Sequence, residues 1–365
     1  MGKTTRCGKS LIEIQKELGT DEQCLAFLEN LRWGGTVRCP RCESDNIKRY
    51  EVAESFRRVV NSETGIAETK PVPARKLYQC MSIKCGHQFS AKSGTIFNDS
   101  HLPLQKWMLA VASMCNAMKG VSAKQLQRDL GTSYKTAWYL NHRIREAMIL
   151  GNFTDEKMEG TVEVDETYVG GKYDKRLKRA RWDKPAVFGI KERETGKVYA
   201  RHMASVTMKN VIGTIKENVS RDARAIYTDD SNLYGTTAGC IKNHVHEVVI
   251  HHDKEWVRGD VSTQGIDSFW GLLKRGIIGS FHQLSIKHLD RYVQEFAYRF
   301  NGRESQELFT LTVAALALGI PLPYDKLAGP KETRMVRNRR GVQTPQERKT
   351  RSSRKASEPD PEQPF

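Results

Sequence analysis

An α+β multidomain protein is what this 365-residue sequence predicts, on three observations. Two cysteine pairs, Cys39-Pro-Arg-Cys42 and Cys80-Met-Ser-Ile-Lys-Cys85, have the spacing of a zinc ribbon. Between residues 101 and 150, a helix, a glycine turn and a second helix with basic residues form a helix-turn-helix pattern. From Thr161 onward, hydropathy of period two opens a series of strands and helices that fits a mixed sheet with flanking helices.

Charge narrows the partner. The 59 Lys and Arg residues against 43 Asp and Glu leave a formal net charge of +16, which calls for a polyanion. Nucleic acid leads and an anionic membrane surface comes second. No apolar run approaches the ~18 residues of a membrane span, and MGKTTRCGKS has no apolar leader segment, so no membrane is expected. A cytoplasmic, nucleoid-associated protein remains. Hydrophobic residues at 38% supply a real core. Eight cysteines in such a protein indicate metal binding or free thiols, not a disulfide framework.

In chain order, residues 1–36 form an N-terminal helical segment, with apolar residues at helical spacing on both sides of Gly19-Thr20-Asp21. Residues 37–100 form the zinc ribbon, with an inserted loop or hairpin from about Glu43 to Lys76. Four thiolates from Cys39, Cys42, Cys80 and Cys85 make a closed, structural Zn²⁺ site with no open position for catalysis. His87 is an alternative to one sulfur, and four unrelated buried thiols are the plain alternative. Residues 101–150 hold the helix pair. Ser133, Tyr134 and Lys135 open the second helix, and His142, Arg143 and Arg145 extend its basic face. Ser133, Tyr134, Lys135 and Arg143 are therefore assigned to DNA, against the alternative of an ordinary helical hairpin.

Residues 158–320 carry the acids. In TVEVDETYVGG, alternation puts Glu163, Asp165 and Thr167 on one face, and Val162, Val164 and Glu166 on the other. Taken alone, this is a strand with a solvated acidic face. Downstream, Ala186–Ile190 and Lys197–His202 flank a turn at Glu194-Thr195-Gly196, and Thr207–Asn218 reads as a helix. Short strands end at Asp229-Asp230 and run into His251, before helices over Thr263–Ile277 and Ile286–Asn301. If the first and fourth strands are parallel neighbours, Asp165 and Asp229 lie side by side. Asp267 lies in the next long helix, and Lys274, seven residues on, shares its face. Three carboxylates and a lysine are what two-metal phosphoryl transfer requires, with divalent ions ~4 Å apart. Lys274 and Arg275 are assigned to DNA phosphates. Asp230 rivals Asp229, Glu166 is a bystander, and Trp270 reads as core. His251 reads equally as a contact to DNA or a carboxylate and as a structural histidine. A basic tail over 326–365 is expected to be disordered and to bind DNA nonspecifically.

The stretches CPRC, SGTIFNDSHLPLQKW, KTAWYLNHRIREAM, VEVDETYVGG, YTD and FWGLLKRGIIGSFHQLSIKHLDRYVQEFAYRFNGR are spread over roughly residues 25 to 315. They resemble DDE transposases of bacterial insertion sequences, the ISXO-like group with an N-terminal zinc ribbon. The resemblance implies an RNase H-like catalytic fold, dependence on Mg²⁺ (or Mn²⁺), and cleavage and strand transfer at element ends. It also implies that Asp165 and Asp229 are the first two acids. The third position departs from the family, which tends to read Asn-Thr-Ile-Glu-Gly-Phe-Trp where this chain has Gln264-Gly265-Ile266-Asp267-Ser268-Phe269-Trp270. Asp267 is one methylene shorter than glutamate, and Gln264 is the rival third ligand. The expected partner is double-stranded DNA, bound by a homodimer or larger assembly that pairs two ends. A DNA-binding regulator with a decayed catalytic domain and a metal-dependent nuclease are the alternatives.

Overall fold

Each early helix begins where a side chain can cap it. Ser10 and Thr20 start α1 (Leu11–Glu17) and α2 (Asp21–Trp33), each through a reciprocal capping box with Glu13 and Gln23. Gly34, at φ +57°, ends α2. In the computed structural model, residues 9–60, 67–72, 74–152, 156–170, 184–229, 245–249 and 257–329 are described. Asp230, His251 and almost all of the basic tail lie outside the described residues.

The ribbon consists of β1 (Ile47–Val52), β4 (Arg75–Cys80) and β5 (Gln88–Phe89), in the order β1-β4-β5. Between β1 and β4, the inserted span forms a separate antiparallel hairpin of β2 (Ser55–Val60) and β3 (Ala67–Val72). Three helices follow: α3 (Leu104–Asn116), α4 (Ala123–Leu130) and α5 (Tyr134–Asn152). Ser122 caps α4, and Gly131, at φ +57°, ends it.

A five-stranded mixed sheet comes next, from β6 (Thr161–Tyr168), β7 (Ala186–Glu192), β8 (Val198–Met203), β9 (Ala225–Asp229) and β10 (Val245–Val249). Its order is β10-β9-β6-β7-β8, with β6, β7 and β8 antiparallel and β9 parallel to both β6 and β10. Helix α6 (Met208–Asn218) makes the crossover between β8 and β9. A small hairpin of β11 (Val257–Arg258) and β12 (Val261–Ser262) leads into α7 (Gln264–Gly276), which ends in a π turn at Ile277–Phe281. Then come α8 (Ile286–Asn301) and α9 (Leu308–Leu318).

The sheet is covered on both faces. Val162, Val164, Phe188, Ile190 and Ile226 pack with Val211 and Ile215 of α6. Val187, Val198 and Ala200, on the other face, pack with Ile266, Phe269, Trp270 and Leu273 of α7 and with Val293 and Phe296 of α8. The acid-bearing side of β6 therefore lies under a helix, which corrects the expectation of a solvated acidic face. Glu163 is 2% exposed and Thr167 is 4% exposed.

A second core gathers α1, α2, α3, α5 and α9, through residues such as Ile14, Leu28, Trp107, Met108, Ile144 and Val313. It joins the sheet layer where α5 meets α8. There, Arg145 Nε donates to Glu295 Oε2 at 2.6 Å, with both side chains buried, and Arg291 pairs with Glu146. Met1–Pro321 forms one compact unit. The second unit, from Leu322, has one described helix, α10 (Tyr324–Ala328), with Pro323 at its N-cap. Among the described residues, no helix is long and apolar enough to cross a membrane.

Candidate active site and cysteine cluster

The parallel β6–β9 ladder pairs Thr161 with Ala225, Val162 with Ile226 and Glu163 with Tyr227. Continued by two residues, the same register sets Asp165 level with Asp229, on the same side of two adjacent strands. Both are half-buried. Asp267 belongs to the first turn of α7, is exposed, and lies one residue beyond Ile266 in the core under the helix. Asp229 and Asp267 are both within electrostatic reach of Asp165. Asp165 is pushed up from 3.8 to about 7 by burial first, then by the negative charges of Glu166, Asp229 and Asp267, while a hydrogen bond from Trp270 opposes the rise. Glu166, on the other face of β6, thus contributes to the field at Asp165.

Trp270 is core, as the sequence indicated, but its indole also reaches the acids. Its Nε1 donates to Asp165 Oδ2 at 2.9 Å. The ring lies over Gly189, the β7 residue paired with Asp165, where an added Cβ would stand 2.6 Å from the indole edge. Lys274 and Arg275 are exposed, two turns along α7 from Asp267. Gln264 is exposed at the first position of α7.

Glu163 and Arg193 had no role in the sequence reading. Glu163 Oε1 accepts from Arg193 Nε at 2.7 Å, and Oε2 accepts from the Ile266 backbone N–H at 2.8 Å. The available signal was the alternation itself, which puts Glu163 on the Asp165 face.

In the ribbon, all four cysteine sulfurs lie within 4.8 Å of one another. Cys39 and Cys85 are 3.7 Å apart and Cys42 and Cys80 are 3.5 Å apart, close to the ~3.8 Å edge of a tetrahedron with Zn–S bonds of ~2.3 Å. The arrangement fits a structural zinc. His87 is outside the set, since its ring stacks on Phe89 with centroids 5.9 Å apart. Among the described residues, this is the one group of three or more potential ligands whose donor atoms already converge; the three carboxylates do not converge to that degree.

At the α4–α5 turn, Ser133, Tyr134 and Lys135 are exposed. Ser133 Oγ accepts the Thr136 N–H at 3.1 Å, and Lys124 Nζ lies 5.1 Å from the Tyr134 ring centroid. Arg143 requires a correction. It is 3% exposed, donates to the carbonyls of Ile96 and Asn98, and lies between the rings of Trp107 and Tyr139. His142 and Arg145 are buried as well, so the basic face expected on α5 is interior beyond its first turn. Helical periodicity cannot tell a basic residue that meets solvent from one that satisfies buried carbonyls.

Two segments of the chain are similar to known protein domains. Residues 157–301 match the model of the ISXO2-like transposase domain, and residues 19–88 match that of the transposase zinc-ribbon domain. A Halobacterium salinarum protein described as an uncharacterized protein in transposable element ISH50 is 26% identical over 322 residues, covering 82% of this chain and 99% of that one. In these segments the chain is similar to an ISXO2-like transposase domain and to a transposase zinc-ribbon domain.

Proposed function

We propose that the protein is a DDE transposase that binds the ends of its element, cuts a DNA strand there and joins the freed 3′-hydroxyl to target DNA. The observation that carries this reading is the parallel β6–β9 register, paired up to Glu163 and Tyr227, which extended by two residues brings Asp165 level with Asp229, beside the helix that bears Asp267. The sheet order β10-β9-β6-β7-β8, helices on both faces and acids on two adjacent strands, Asp165 within β6 and Asp229 at the end of β9, support an RNase H-like reading of this domain. The donors are all hard carboxylate oxygens, and their mutual repulsion at Asp165 is what a divalent cation relieves, so the set fits Mg²⁺ or Mn²⁺. Asp165, Asp229 and Asp267 would hold the ions, which when bound would activate the attacking oxygen and stabilise the leaving oxygen.

The chain's own groups do the rest. Lys274 and Arg275 present positive charge to the DNA backbone along the exposed side of α7. Helices α4 and α5 act as a helix-turn-helix, with Ser133, Tyr134 and Lys135 at the DNA and Arg143 holding the α5 interior. Double-stranded DNA is the partner, and pairing two ends requires at least a dimer. The zinc ribbon holds the N-terminal part in shape. Shortening of the third acid to Asp267, and its exposure, favour as second reading a non-catalytic DNA-binding protein derived from a transposase.

The test is a strand-transfer assay with Mg²⁺ or Mn²⁺ and DNA carrying the parent element's ends. Wild type is compared with Asp165→Asn, Asp229→Asn, Asp267→Asn and Gln264→Ala. Loss of joined products in the three Asp variants but not in Gln264→Ala supports the triad. Loss in Gln264→Ala but not in Asp267→Asn moves the third ligand to Gln264. Specific end binding without product from any protein favours the second reading, and cut ends without joined products favour a nuclease.

A further inference from the structure

The helix that carries the third acid has no cap of its own. Thr263, at its N-cap position, makes no side-chain hydrogen bond to the first turn of α7. The Ile266 N–H is instead taken up by Glu163 from β6, at 2.8 Å. A carboxylate at a helix N-terminus also meets the positive end of the helix dipole.

Glu163 is held as firmly as it holds. Its other oxygen receives Arg193 Nε at 2.7 Å, and Arg193 Nη2 donates to the Ser262 carbonyl at 2.7 Å and to Ser262 Oγ at 2.8 Å. Arg193 Nη1 donates to the Asp260 carbonyl at 2.5 Å. One carboxylate and one guanidinium thus fasten both the β12 segment leading into α7 and the first turn of α7 itself. Residue 265 must be small for this. A Cβ there would lie 2.6 Å from Glu163 Oε2 and 2.9 Å from Lys191 Nζ, and the chain has Gly265.

The attachments come in a matched pair. Glu163 binds Ile266, and Asp165 receives Trp270. Two residues along a strand span about 6.7 Å and four along a helix about 6 Å, so the two contacts lock α7 to β6 in one register. Asp267 is covalently next to the first contact.

We propose that Glu163 is a positioning residue for the metal site, pinning the N-terminus of α7 so that Asp267 stands opposite Asp165 and Asp229. This rests on the metal-dependent reading above. Glu163 itself needs no contact with DNA or metal.

The experiment measures Mn²⁺ binding by full-length protein, by paramagnetic resonance and calorimetry, beside kcat and KM for cleavage of element-end DNA. Wild type is compared with Glu163→Ala, Glu163→Gln, Gly265→Ala and Asp165→Asn. Groups that orient metal ligands typically contribute 10–100-fold to affinity or activity. Glu163→Ala and Gly265→Ala are expected to weaken Mn²⁺ binding about tenfold and to lower kcat at unchanged KM for DNA. Glu163→Gln, which keeps an acceptor for the Ile266 N–H, is expected to recover part of that loss. Gly265→Ala displaces the carboxylate without removing it, so the test survives if Glu163→Ala fails to fold. Wild-type Mn²⁺ affinity and kcat in both Glu163→Ala and Gly265→Ala overturn the pin and leave the transposase reading standing. A wild type that neither binds Mn²⁺ nor cleaves, with Asp165→Asn indistinguishable from it, overturns the metal-dependent reading, and the pin with it.

Discussion

Trp270 gives its indole N–H to Asp165 Oδ2 at 2.9 Å across the interface between α7 and β6, so a core aromatic also serves a carboxylate. That bond favours the charged form of Asp165, against burial and three neighbouring acids. Trp270→Phe keeps most of the apolar volume and removes the donor. It is expected to cost about 2–4 kcal/mol of unfolding free energy from the combined cavity and hydrogen-bond losses. The cost should be larger at pH 8, where Asp165 is charged, than at pH 5. Urea denaturation at the two pH values measures it.

Asp165 at about 7 in the fold, against an ordinary 3.8, makes the metal-free protein less stable as pH rises. Between those values the folded state binds more protons than the unfolded state, so stability falls from about pH 4 to about pH 7 and then levels. Asp165→Asn removes this penalty and is expected to raise Tm of the metal-free protein at pH 8 while changing it little at pH 4. Added Mg²⁺ should stabilise wild type at pH 8 and leave the variant unaffected. Differential scanning calorimetry in chelator and in Mg²⁺ reads both effects.

The cysteine cluster predicts one tightly held zinc per chain, measurable by elemental analysis. Trp33 lies against Tyr78 and Phe89, with centroids 5.1 and 6.2 Å away, so loss of the metal should register in its emission. Chelation at mildly acidic pH, where thiolates take up protons, should release the ion and unfold the ribbon. Cys80→Ser is expected to lose the zinc, whereas His87→Ala should retain it.

The two basic residues read from α5 should separate cleanly. Arg143→Ala leaves the Ile96 and Asn98 carbonyls without their donor and is expected to destabilise by about 2–4 kcal/mol. Lys135→Ala, at an exposed position, is expected to cost less stability than Arg143→Ala and to reduce the salt slope of DNA binding by about 0.9, the loss of one phosphate contact. Thermal unfolding beside a binding titration at several salt concentrations distinguishes them.

The parts of this protein were legible because each has a local signature. Cysteine spacing marks the ribbon, Gly131 marks the turn between α4 and α5, and alternation marks β6. Asp229 falls at the end of β9 and Asp267 in the next long helix, as the spacing predicts, whereas Asp165 lies within β6, three residues short of its end. Which side of β6 meets solvent was not legible, because alternation separates two faces without saying what covers each. The fate of Arg143 was hidden for the same reason, as its partners are carbonyls 45 and 47 residues away.

The sequence by itself determined the ribbon's cysteine pairs, the helix pair before the sheet and the order of elements from β6 to α8 apart from the small β11–β12 hairpin, because caps, turns and hydropathy periods act over a few residues. Tertiary structure alone decided that β9 lies beside β6, that α7 covers the acidic face, and that Glu163 reaches Ile266 across 103 residues of chain. Those choices depend on where buried polar groups find partners and how apolar faces close on each other, and both are set by contacts between residues far apart in the chain.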